Sequence, residues 1–129
     1  TTHGGQHPQT HRQSLLFIHS PKLYLPDFSL RPENVFHKIG GSFGYKDIDF
    51  ETHPIFSKSY LLRGENEATI RGLFNNELLN FIQSQQKICI EGSGDKIIFY
   101  RHKSRVKPEE VESFMEEGFQ VFDQFLRST

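Results

Sequence analysis

Asp47, Asp49, Glu51 and His53 alternate along one short stretch, with Ile48 and Phe50 between the acids. In an extended backbone successive side chains point to opposite faces, so these oxygen and nitrogen donors would share one face and the apolar residues the other. Such a face could hold a divalent cation, which could in turn activate water for hydrolysis. Alternate side chains on a strand stand about 6–7 Å apart, wide for one ion, so a ligand from another segment would have to complete the site. As a calcium-binding EF-hand loop the stretch fails: Thr52 sits where glycine is required and Lys58 where the bidentate glutamate belongs. The competing reading is the solvated face of a half-buried strand, the ordinary meaning of this alternation.

A second candidate is the link formed by Arg101, His102, Lys103, Arg105 and Lys107, basic side chains within seven residues. It could contact the phosphate of an anionic lipid head group, although the acidic stretch directly after it would partly neutralise it. Gly40-Gly41-Ser42-Phe43-Gly44 matches the G-x-S-x-G nucleophile elbow. That motif needs a strand before the serine and a helix after it, and here the order reads helix then strand. Gly92-Ser93-Gly94-Asp95-Lys96 lacks the spacing of a phosphate-binding loop and reads as a hairpin turn. His3, His7 and His11 are spaced for a helical metal face, but Gly4, Gly5 and Pro8 oppose a helix. Cys89 reads as a small buried hydrophobe in a hairpin strand. No catalytic residue and no cofactor is assigned.

The elements that would position these groups follow from periodicity and punctuation. Residues 1–13 carry no apolar anchor and read as a disordered tail. Residues 14–18 (SLLFI) form a short strand; residues 22–30 are extended but broken by Pro26, as on an edge strand. Pro32 is placed to open a helix whose stripe is Val35, Phe36 and Ile39. Residues 45–53 and 57–63 read as further strands. Asn66 caps a helix, and Asn75 or Asn76 caps a second one, so that two short helices carry the stripe from Ile70 to Ile82. Residues 87–91 and 96–102 flank the Gly-Ser-Gly turn and are apolar on more than one face, which predicts a hairpin central in its sheet. Pro108 opens the last helix, whose stripe includes Val111, Phe114, Met115, Gly118, Phe122, Phe125 and Leu126. The expected fold is α+β: one domain over residues 14–129, with a mainly antiparallel sheet of about four or five strands. Helices pack on one face of it, and the C-terminal helix follows the β-hairpin.

Composition narrows the partners. With 129 residues, a formal net charge of -1 and one cysteine, the chain has neither a field for nucleic acid nor an intrachain disulfide. It suits a reducing compartment, the cytoplasm or the cytoplasmic side of a membrane. No apolar run approaches the ~20 residues of a membrane helix. A mean hydropathy of -0.56 indicates that part of the chain lies outside the core.

The run Leu30-Arg31-Pro32-Glu33-Asn34, then Phe36-His37-Lys38-Ile39-Gly40, Phe43-Gly44-Tyr45, Asp47-Ile48-Asp49-Phe50, His53-Pro54, Phe56-Ser57, Tyr60-Leu61-Leu62-Arg63-Gly64 and Leu78-Leu79 resembles a family of uncharacterised bacterial proteins. The resemblance extends over most of the chain from about residue 14 onward. Members of that family often carry predicted membrane helices ahead of this domain. The resemblance therefore implies the soluble part of a membrane-anchored protein, with any membrane contact made through an N-terminal anchor. It brings no activity and no site residues. The leading expectation is a non-enzymatic binding or interaction domain with a protein partner, its groove near residues 22–30 and 40–45. A metal-dependent hydrolase at Asp47, Asp49, Glu51 and His53 is the alternative, and anionic lipid binding through the basic link is the third reading.

Overall fold

The computed structural model describes residues 14–33, 46–101 and 105–129. Its strands are β1 (Leu15–His19), β2 (Leu25–Pro32), β3 (Tyr60–Arg63), β4 (Ile88–Gly94) and β5 (Lys96–Arg101). Its helices are α1 (Pro54–Ser59), α2 (Glu67–Leu73), α3 (Asn76–Gln83) and α4 (Val111–Ser128), the last entered through a 3-10 turn at Pro108–Glu110. The five strands form one antiparallel sheet in the order β1-β5-β4-β2-β3. The architecture is α+β, with the C-terminal helix following the β4–β5 hairpin and that hairpin inside the sheet, as its two-sided apolar sequence requires.

Period-two burial separates the two faces of the sheet. Leu30, Leu62, Ile88, Ile90, Ile97 and Phe99 are buried beneath the helices. Phe28, Phe74 and Phe125 meet there as a triangle of rings, with centroids 5.3, 5.5 and 5.7 Å apart, and tie β2 to the end of α2 and to α4. Phe114 stacks on Phe99 at 5.3 Å, and Gly118 lets α4 close onto Leu16 of β1. The caps fall where polar side chains can take up free helix amides: Asn66 accepts from the Thr69 amide and Asn75 from the Leu78 amide. The hairpin loop is Gly94-Asp95, with Gly94 at φ 59, the positive value required at the first position of a type II′ turn.

Four expectations are corrected. Pro26 does not put its strand at the edge: β2 lies between β4 and β3, and a register shift between Leu25 and Phe28 accommodates the proline. Pro32 ends β2 opposite Tyr60 instead of standing at the first position of a helix, and the residues expected to carry that helix lie outside the described ones. It fits both roles for the same reason, because neither the last residue of a strand nor the first of a helix needs its N–H. Residues 46–50 form no regular strand; Thr52 lies in a turn, and Pro54 starts α1 where it was expected only to end a strand. Residues 57–59, expected as strand, belong to α1. The tail at residues 1–13, with His3, His7 and His11, lies outside the described residues. So do the stripe of Val35, Phe36 and Ile39 and the Gly40–Gly44 motif.

Candidate functional site

The four donors of the expected metal face are dispersed, because the strand that would align them does not form. Asp47 is ion-paired with Arg63 at 2.7 Å. Asp49 offers its backbone carbonyl to Arg71 at 2.8 Å, while Glu51 is exposed in the turn. His53 is buried, with Nδ1 2.8 Å from the Thr52 hydroxyl and Nε2 2.9 Å from Asn80 Oδ1. With its proton on Nε2, the ring donates to Asn80 and accepts from Thr52, so both nitrogens are engaged. Among the described residues no group of three or more His, Cys, Asp or Glu side chains gathers at one point.

Of the basic link, the structure describes Arg101, Arg105 and Lys107. Arg101 is a pin between elements: it bonds Glu117 of α4 at 3.1 Å and Gln85 at 3.2 Å, and it donates to the Gln86 carbonyl. Its guanidinium also lies 5.7 Å from the centre of the Phe99 ring. His102 and Lys103 lie outside the described residues, which leaves Arg105 and Lys107 exposed. Among the described residues no helix is long and apolar enough to cross a membrane.

What the fold does assemble lies on the sheet face opposite the helices. Register carries one row across all five strands: Phe17, Ile98, Glu91, Ser29 and Arg63. The row is apolar on β1 and β5 and charged or polar on β4, β2 and β3. Around it opens a cleft of about 430 Å³, to which Asp27, Arg31, Glu65, Ser93 and Lys96 also contribute. Three carboxylates and three cations therefore stand in its wall. Arg63 is held by Asp47, and Lys96 by Asp95 at 3.0 Å. Ser93 donates to Asp27 at 2.6 Å, and Arg31 donates to the Ser29 hydroxyl at 2.9 Å. Both serine oxygens are thus engaged by neighbours of the cleft, and neither is bonded to a histidine.

Beside this row, toward the Arg101 end of the hairpin, lie Leu15, Tyr100 and Cys89, with Arg31 opposite Leu61. Cys89 is fully buried. Burial, with Cys89 and Glu91 nearby, pushes the Tyr100 phenol up to about 12, against the opposing influence of Arg31. At the other end, Lys96 and His19 flank Asp95 and hold its carboxyl below the usual range. Of residues 22–30, where a groove was expected, Asp27, Phe28 and Ser29 line this cleft, while residues 40–45 lie outside the described residues. Phe17, Ile98, Glu91 and Arg63 were not singled out from the sequence. Their only signal there is that residues 97–100 are apolar on both faces, and that signal says nothing about which partners cross the sheet.

No family model, curated protein or solved structure matches this chain.

Proposed function

We propose that the domain is a non-enzymatic binding module in which the sheet face opposite the described helices receives a polypeptide segment. The observation that carries this reading is the cross-strand row itself, which grades from Phe17 and Ile98 to Glu91 and Arg63 within one cleft. A pocket of several hundred Å³ with an apolar floor and a few placed polar groups is the usual form of a ligand site. Its balanced charge favours a mixed segment, an apolar side chain flanked by acidic and basic ones, over a polyanion, which would select cations alone.

Selection of a random peptide library on the folded domain tests this. Enriched peptides should pair an apolar residue with charges, and titration should show their affinity falling at least tenfold in Ile98→Lys. The Glu91→Lys variant should shift the enriched set toward acidic peptides. The reading fails if no peptide is enriched, or if the enriched peptides bind wild type and both folded variants equally.

A further inference from the structure

The two edges of the sheet are finished differently. Along β3 the Ile48 amide donates to the Leu62 carbonyl at 2.8 Å, and Asp47 pairs with Arg63, so residues 46–50 lie against that edge. At the other edge, β1 has β5 on one side and no strand on the other among the described residues. Backbone alternation shows what it offers. The Ser20 amide donates to the Asp95 carbonyl, toward the hairpin, so Ile18 and Leu16 also turn their N–H and C=O toward β5. Leu15, Phe17 and His19 then turn theirs outward. The strand sequence LLFIH has neither proline nor lysine, residues that commonly protect an edge from pairing.

Apolar side chains accompany this edge on both faces. Leu15 and Phe17 are each 55% exposed on the cleft side. On the helical side, Glu117 marks the flank of α4 that reaches inward to Arg101. Phe119 and Met115 lie on the opposite flank, across Gly118, and so face the free edge. They are 52% and 40% exposed.

We infer that β1 is a dimer seam, where two copies of this chain join edge to edge into one continuous antiparallel sheet. The outward groups are symmetric about Phe17, so two β1 strands related by a two-fold axis there satisfy one another, Leu15 of each copy opposite His19 of the other. That axis is perpendicular to the sheet and keeps both helical layers on one side, which brings Phe119 and Met115 of the two copies together. The four exposed side chains present roughly 400 Å² per copy, so with the strand backbones a pair buries on the order of 1,000 Å², the threshold for a specific interface. A net charge of -1 sets up little repulsion between copies. The seam shares Phe17 with the cleft, but Phe119 and Met115 are on the far side of the sheet, so altering them tests the seam without touching the cleft, and Ile98 tests the cleft from β5, not from the seam strand.

Light scattering coupled to gel filtration tests the seam. At ~100 µM, above the dissociation constants usual for interfaces of this size, the wild-type mass should be twice the 15.0 kDa of one chain. The double variant Met115→Lys/Phe119→Lys should run as a single chain with unchanged circular dichroism. So should Phe17→Pro, which removes an outward amide that the β1–β5 ladder does not use. Ile55→Lys, at an exposed site on α1, should leave the dimer intact. A single-chain mass for wild type overturns the inference, as does a dimer that survives either edge alteration in folded protein, or one lost in Ile55→Lys. Should Phe17→Pro fail to fold, the α4 pair decides, because both of its side chains already face solvent.

Discussion

Tyr100 stands half-buried beside Cys89 on the sheet face opposite the described helices, and its phenol stays neutral until the pH approaches about 12. In the unfolded chain a tyrosine ionises near 10. Below pH 10 both states hold the proton and the group is neutral to stability; between 10 and 12 only the unfolded state loses it, so stability falls as pH rises. The Tyr60 phenol, also raised by burial, contributes in the same direction. Replacing Tyr100 by Phe should flatten the decline in melting temperature across that window relative to wild type, and an unchanged slope would contradict the assignment. A second residue-level cost is Lys87, held at φ 56 in the loop before β4, where a side chain is strained. Arg101 grips the Gln85 side chain and the Gln86 carbonyl just before it. Lys87→Gly should raise stability by about 0.5–1 kcal/mol in urea denaturation, since glycine adopts this conformation without penalty.

Among the elements, α2 illustrates how position decides the sign of a substitution. Gly72 is inside the helix with open space around it, so Gly72→Ala should stabilise by up to about 1 kcal/mol. Gly64, at the exit of β3, packs against the Ile70 side chain and the Asp27 carbonyl. A methyl group there meets backbone that cannot yield, and Gly64→Ala should cost about 1–3 kcal/mol, read as a lower urea midpoint. Local elements were the most readable from sequence. The cap at Asn66, a second cap at Asn75 or Asn76, a hairpin turn within residues 92–95 and the entry to the last helix at Pro108 each depend on chemistry within a few residues, although the structure narrows the turn to Gly94-Asp95. Residues 46–53 misled because their alternation is real, yet other contacts claim the chain. Phe50 donates its amide to the Ser57 hydroxyl, and Arg71 takes the Asp49 carbonyl. On α4 the stripe was correct at Phe114, Gly118 and Phe125. Val111 and Met115, part of the same stripe, remain largely exposed.

For the whole molecule, the ring triangle of Phe28, Phe74 and Phe125 couples the sheet to the helical layer. Phe74→Ala should lower stability by about 3–5 kcal/mol, measured by denaturant unfolding, because its neighbours on two sides are rings that cannot collapse into the space. A loss below ~1 kcal/mol would mean that the layers are held elsewhere. The cleft was not readable from sequence for a related reason. Its row is contributed by residues 17, 98, 91, 29 and 63, and only strand order and register bring them side by side. Composition carries neither.

The strand order also dictates when the chain can finish folding. β4 and β5 are joined by a two-residue turn and can pair as soon as both exist, but Leu15 finds its partner only in Tyr100. Of the five strands β1 is made first, yet it cannot pair until β5, the last of them, has been made. Until then the outer edge of β5 stands open, and the loop to be closed is among the longest the chain contains, a topology associated with slow folding.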